Sequence, residues 1–483
     1  MTRQQRLVLI IAVLASFVAF LDSSVINVAL PAMTDELGGG LSVQQWIVDA
    51  YLITLGSLIL LAGSLSDVYG RIVVLRVGLV GFGVASVLIA VAGSAEFVIA
   101  MRAVQGIAGA LLVPSSLAII MSTFRDAAQA RAIGQWTAWT SAAFLAGPFL
   151  GGIFVDYLSW RLVFAINVLP IAATLILLGM LGQKDTRRPG VRIDYPGAVL
   201  GVLGLGGPVF ALIEQGNLGW SNPAIYLSFG LGLLSFAAFL WWQRRARDPM
   251  LPLGLFRIRN FSAGNLTTVF VYAALSIGGF IIVIFLQEVA GFTATVAALA
   301  LLPVSIANVL LSSYFGGLSG RFGPRVFMTA GPIISGVGFL AMLGIAENVN
   351  YFVNVLPGIL LFAVGLSMTV APLTAAVLGS VSAEQAGIGS AVNNAVARVA
   401  GLVAIAMLGL IIVGELDVDG FHRVLVITGA LLIVGGIVSF VGIRNPRRVT
   451  EPSGEQATTG EGEQGDEAHG RDQDQGEQQS ARP

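Results

Sequence analysis

The chain has no cysteine, one lysine (Lys184) and two histidines (His422 and His469) in 483 residues, and only 11% of it is charged. Lack of cysteine excludes disulfides and thiol chemistry and leaves no mark of the redox compartment. Two histidines without cysteine make no His/Cys cluster for a metal-dependent enzyme. Lys184 follows Gln183, so there is no Gly-Lys of a Walker A loop with which to drive work from ATP. The chain is therefore not read as an enzyme, and no cofactor, metal, ATP or nucleic-acid partner is expected. Apolar residues dominate instead. They make up 56% of the chain, with a mean hydropathy of +0.85, which leaves too little polar surface to coat a soluble globule. This composition is that of an all-α, polytopic membrane protein.

The formal net charge of -1 averages two unlike parts. From Val449 on there are nine acidic residues against Arg471 and Arg482, so the rest carries 24 basic and 18 acidic residues, or +6. That final stretch is rich in Gly, Glu, Gln and Asp and lacks aromatics, so it is expected to be disordered, as an inert solvated tail or a regulatory one.

A helix needs about 20 apolar residues to cross the hydrocarbon, and fourteen such runs can be placed. They cover residues 7–31, 45–65, 74–92, 97–121, 132–155, 161–182, 194–214, 222–243, 262–287, 293–315, 325–346, 351–378, 387–412 and 421–443. The first is too long for a signal-peptide core and has no small-residue cleavage site, so it reads as a retained span. Nearly all basic residues then fall on one side, including Arg3, Arg6, Arg71, Arg76, Arg125, Arg131, Lys184, Arg244, Arg245, Arg321, Arg325 and Arg444. Cytoplasmic loops hold Lys and Arg, which puts both termini in the cytoplasm. Twelve spans would do the same. The choice of fourteen rests on the two full-length apolar runs between Asp194 and Trp242, separated by Glu214 to Asn222 with no basic residue.

One loop occurs twice. Gly63-Ser64-Leu65-Ser66-Asp67-Val68-Tyr69-Gly70-Arg71 is echoed by Gly316-Gly317-Leu318-Ser319-Gly320-Arg321-Phe322-Gly323-Pro324-Arg325, at an offset of 253 residues. A second anchor, Ile133-Gly134 and Ile388-Gly389, recurs at an offset of 255. A repeat this long is a half-molecule, and two related halves within a membrane mark a transporter.

An ionisable group inside a span costs about 2.5 to 3.5 kcal/mol at the centre, so each is a functional candidate. Asp22 lies about nine residues, or roughly 13 Å, from the outer end of the first run. It is a candidate proton carrier or a structural hydrogen-bonding group, because desolvation and a nearby cation act on its titration in opposite directions. Arg102 enters the fourth run from outside and either pairs with Asp22 or snorkels to the interface. Asp49, one turn into the second run beside Trp46 and Tyr51, is a candidate for a cationic substrate or the proton, and its shallow position also suits hydration. Glu288 ends the run 262–287 as an interfacial or substrate-binding carboxylate. Arg398 falls near the midplane of the run 387–412, as a substrate-binding residue or half of a structural ion pair. In the fifth run Pro148 bends the helix, and Gly147, Gly151 and Gly152 permit close backbone approach, as in any packing notch.

These residues resemble the major facilitator superfamily, and within it the 14-span drug:proton antiporter family, from Leu7 to Arg444. Gly63, Leu65, Asp67, Gly70 and Arg71 match its loop between spans two and three. Leu21-Asp22 through Asn27-Val28-Ala29-Leu30-Pro31 is similar to its first-span motif. Arg102, Gln105 and Gly106 match the fourth-span motif linked to proton transfer, and Gly147-Pro148 with Gly151-Gly152 the antiporter motif. The departures are Gly320, where the first loop copy has Asp67, and Ala143, where the family often has glycine.

The resemblance implies two pseudo-symmetric six-helix domains, residues 1–183 and 261–448, joined by a linker, 184–260, whose two extra helices lie outside that core. The tail is 449–483. It further implies proton-coupled export of amphipathic drugs across the cell membrane by alternating access, with small molecules, protons and membrane lipid as partners and a monomer as the working unit. Two alternatives remain open: a dedicated exporter of one endogenous metabolite or antibiotic, and a non-transporting receptor on the same scaffold.

Overall fold

Inside the hydrocarbon every backbone N–H and C=O must be satisfied within the protein, which leaves helices as the answer to apolar runs of this length. The computed structural model describes residues 1–181, Asp185, 193–346, 349–382, 385–412, Gly414 and 416–445. Among them, fourteen helices are long and apolar enough to cross a membrane. They are α1 (Arg3–Leu37), α2 (Leu41–Tyr69), α3 (Arg71–Ala90), α4 (Ala95–Thr123), α5 (Arg131–Tyr157), α6 (Leu162–Met180) and α7 (Tyr195–Leu218). There follow α8 (Pro223–Arg245), α9 (Arg259–Glu288), α10 (Ala294–Phe322), α11 (Pro324–Gly344), α12 (Tyr351–Leu378), α13 (Ala386–Ile411) and α14 (Val418–Gly442). The chain is thus a multi-pass membrane protein. The acidic tail expected beyond Val449, and the basic residues Lys184, Arg187, Arg188, Arg192, Arg447 and Arg448, lie outside the described residues.

The helices outrun the apolar stretches because polar caps, not loss of hydropathy, end them. Thr2 and Gln5 form a reciprocal capping box that starts α1, Ser94 accepts the Phe97 N–H at the head of α4, and Asp417 does the same for Gly420 in α14. Two expectations change as a result. With α2 starting at Leu41, Asp49 is two turns deep and fully buried, rather than one turn in and hydrated. With α7 reaching Leu218, Glu214 lies one turn inside the helix rather than at the end of the run 194–214.

Helices of this kind are apolar on both faces, since one meets protein and the other lipid. In α3 the buried face carries Leu75, Leu79, Phe82 and Ile89, while Val73, Val77, Val80, Val84 and Val87 form an exposed stripe.

Both copies of the repeated loop turn through a glycine with positive φ, Gly70 at 102° and Gly323 at 87°. A side chain is strained in that conformation. The following helix is capped by a distant residue in each half: Asp185 accepts the Ile72 and Val73 N–H groups at 3.1 and 3.0 Å, and Asn445 accepts that of Arg325 at 3.1 Å. The two halves therefore share a construction and differ in charge.

The extra pair α7 and α8 packs through glycines, a Cβ at Gly207 falling 2.9 Å from the Gly232 Cα. This pair touches both halves. Val209 and Ile213 of α7 cluster with Ile53 of α2 and with Leu402 and Ala406 of α13. The Trp46 indole donates to Glu214 at 2.6 Å, and Gln215 donates to the Gly409 carbonyl at 3.2 Å. Peripheral to the twelve-helix core, α7 covers the line where α2 and α13 meet.

Candidate functional site

Glycines bring four helices of the first half together around one ion pair. A Cβ at Gly106 would strike Thr54 Oγ1 and the Tyr51 carbonyl, and one at Gly147 would strike Ser24 Oγ. Glycine at these positions draws α4 onto α2, and α5 onto α1 beside Asp22. Arg102 and Asp22 are 1% and 0% exposed, and Arg102 Nη1 donates to Asp22 Oδ2 at 2.6 Å. The other Asp22 oxygen accepts from Gln105 Nε2 and Asn167 Nδ2, both at 3.0 Å. Gln105 also donates to Ser86 Oγ. Arg102 is held in turn: Nε donates to the Ile47 carbonyl at 3.0 Å, and its Cζ stands 4.3 Å from the Tyr51 ring centroid. The Asp22 carboxylate is matched by charged and neutral donors on both oxygens. This is how buried charge is tolerated.

The halves meet at the end opposite the Asp67 loop. Asp156, at the close of α5, accepts the Ala294 and Thr295 N–H groups at 2.9 and 2.8 Å, which are unpaired donors at the start of α10. One turn earlier a Cβ at Gly152 would sit 2.9 Å from the Thr295 nitrogen, so only glycine allows the approach. Nearby, Gln44 donates to Glu288 at 2.7 Å and Gln45 to the Ile405 carbonyl at 2.5 Å. Toward the loop end the picture reverses. Thr137, Ala138 and Trp139 of α5 are exposed in succession, followed by Ser141 and Ala142, and in α10 so are Val309, Leu310, Ser313 and Tyr314. Three successive positions cover more than half of a helix's circumference, so lipid on one side cannot account for them. Helices α5 and α10 of the two halves are joined at the Asp156 end and stand apart toward the loop, while α2 stays packed on the second half as far as Leu60.

Asp49 and Arg398 lie on the facing helices α2 and α13, where a Cβ at Gly56 would be 3.9 Å from the Arg398 Cβ. Asp49 is fully buried, and neither of its oxygens has a hydrogen-bond partner. Arg398 donates Nε to Asn394 Oδ1 at 3.0 Å. In the loop, Arg71 Nη2 approaches Asp67 at 3.4 Å and Nη1 donates to the Ala118 carbonyl at 3.1 Å. Five residues that matter here, Asn167, Asp156, Gln44, Gln45 and Asp185, were not among those singled out from the sequence. A lone amide in an apolar run could have marked Asn167.

The family model described as Major Facilitator Superfamily matches residues 12–405. The methylenomycin A resistance protein of Bacillus subtilis (strain 168) is 33% identical over 84% of this chain and 87% of its own length. The multidrug resistance protein Stp of Mycobacterium tuberculosis (strain CDC 1551 / Oshkosh) is 32% identical over 86% and 78%. The tetracenomycin C resistance and export protein of Streptomyces glaucescens is 30% identical over 81% and 73%. Among solved structures, a peptide transporter POT in complex with sulfate superposes with a TM-score of 0.66 at 14% identity, over 91% of this chain and 94% of that one. A bacterial homologue of the human lysosomal transporter Spinster gives 0.65 at 16% identity, over 92% and 97%. At such identities the structures speak for the fold alone.

Proposed function

The chain belongs to the Major Facilitator Superfamily, and on that premise we propose that it is a proton-coupled antiporter exporting amphipathic drugs or toxic small molecules by alternating access. The observation that carries the coupling is the buried Asp22–Arg102 pair. Asp22 is the proton site in this reading. A proton on its carboxyl removes the charge that Arg102 answers, while Arg102 keeps its hold on the Ile47 carbonyl of α2 and the Tyr51 ring. Protonation then loosens α1 from α4 without loosening α2 from α4, and changes how the first half can move.

Asp49, Glu288 and Arg398 are the substrate-facing candidates, and the loop residues Gly63, Asp67, Gly70 and Arg71 serve the change of state. The distribution of basic residues supports cytoplasmic termini, which makes the present state open to the cytoplasm. Each chain holds both halves and both sets of motifs, so a monomer embedded in lipid suffices. The names of relatives such as the methylenomycin A and tetracenomycin C resistance proteins favour a second reading, a dedicated exporter of one antibiotic.

The test is transport by purified protein in liposomes with a trapped pH indicator, together with a toxicity panel in a host stripped of its own pumps. Proton movement on addition of a panel compound supports antiport. Protection by the chain with no proton movement excludes it, and protection against one compound alone selects the second reading.

A further inference from the structure

A guanidinium near the middle of a spanning helix needs an anion or water to meet it. Arg398 has no carboxylate partner among the described residues, and it donates Nε to Asn394 Oδ1. The acids that might have answered it are accounted for. Asp22 is committed to Arg102, Gln105 and Asn167, and neither oxygen of Asp49 accepts a hydrogen bond from anything. The hydroxyls of Tyr51, on α2, and Tyr272, on α9, lie within electrostatic range of Arg398. Both are donors. The Tyr51 hydroxyl is buried without a partner, the neighbouring Ser23 donating instead to the Ala19 carbonyl.

Exposure places this group on the space between the halves. Among the half-buried positions of α13 are Asn393, Asn394 and the four successive residues Val396 to Val399, which include Arg398, whereas Val392, Ala395, Ala400 and Leu402 are closed off; Asn393 donates to Asn265 and Thr268 of α9. A planar fork of donors suits a carboxylate, which accepts two parallel N–H bonds from arginine.

We propose that Arg398 is the anion-recognising residue of the transport site, and that the exported molecule carries a carboxylate that completes the guanidinium's hydrogen bonding. The inference rests on the export reading and narrows it to a substrate class. An amphipathic acid has an apolar body for the walls of the space and one charged end for Arg398. Its neutral amide has the same body and loses the charge-assisted bonds.

Equilibrium dialysis of radiolabelled 1-naphthoate and 1-naphthamide against the purified full chain in nanodiscs tests this, with empty nanodiscs subtracting partition into lipid. It needs no gradient and no turnover, so its outcome is independent of proton coupling. The wild type is expected to bind the acid about tenfold tighter than the amide, the size of one charge-assisted bond. Arg398→Gln should remove that preference while the amide binds as before. Arg398→Lys, with a point charge in place of the fork, should reduce it at least threefold without abolishing it, which keeps the test decisive should the glutamine variant not fold. Equal binding of acid and amide by the wild type, or a preference that persists unchanged in either folded variant, overturns the proposal.

Discussion

The Asp156 carboxylate of α5 accepts the Thr295 backbone N–H at 2.8 Å, so a side chain of one half caps a helix of the other. The bond stands one turn beyond Gly152, where the lack of a side chain lets α10 close in. The glycines of the fifth helix thus have two uses: Gly147 and Gly151 seat it on α1, and Gly152 brings its end to the opposite half.

Asp156→Asn should weaken this closure. The amide can accept one N–H but has no charge to set against the helix dipole, an interaction worth about 0.3 to 1 kcal/mol when exposed and up to about 2 when partly buried. Since 1.4 kcal/mol is tenfold in population, the variant should be measurably more open at this end. Spin labels on the α2 and α9 ends near Gln44 and Glu288 should report longer distances, and an unchanged distribution would show that the cap follows closure without causing it.

Asp22→Asn should abolish proton-coupled export with insertion intact. The amide keeps the shape and can still accept from Arg102, but it cannot titrate, and its NH2 faces the donors of Gln105 or Asn167. Resistance in a pump-deficient host should fall to that of the empty vector at equal expression. Full resistance with normal proton movement would remove Asp22 from the mechanism.

Asp49→Leu should stabilise the purified protein. A buried polar group left without a partner costs about 1 to 3 kcal/mol, and both Asp49 oxygens are in that position. A higher thermal midpoint combined with loss of export would mark a group kept for function at the expense of stability. A lower midpoint would mean that Asp49 acquires a partner in the folded protein.

The fourteen spans and the repeated loop were legible because hydropathy and the placement of arginine act over whole helices. Asp22 and Arg102 were legible for a related reason, charge inside an apolar run being rare. The inter-half contacts were not. Asp156 and Gln44 sit at helix ends, where polar residues are ordinary and carry no contrast, Glu288 was marked without its partner across the halves, and Asp185 caps a helix more than 100 residues away. Asp49 lies deeper than its position in the apolar run implies, because that run starts at residue 45 while the helix starts at Leu41, four residues earlier. The covering role of α7 depends on Glu214 meeting Trp46, a pairing that spacing does not reveal.

Asp67 is the counterpart of Asp156 at the other end. Here α5 and α10 of the two halves stand apart, and Asp67 lies 3.4 Å from Arg71, four residues on in the same turn. The second loop copy has Gly320 at the equivalent position, so the repeat supplies this carboxylate once. In the state closed at this end, a carboxylate at the foot of α2 can meet the positive N-terminal end of α13, which starts at Ala386. Such a contact would exist only in that state and would favour it. Asp67→Asn should therefore hold the protein in the conformation described here and slow turnover, without changing which compounds are exported. Labels at the loop ends of α2 and α13 should show the closed population reduced by up to about thirtyfold, the limit set by a partly buried helix-dipole contact. Because Asp156 and Asp67 act at opposite ends, combining Asp67→Asn with Asp156→Asn should return the distance distribution toward that of the wild type. A double variant no different from Asp67→Asn alone would mean that the two ends are not coupled, and that Asp67 is a residue of its turn.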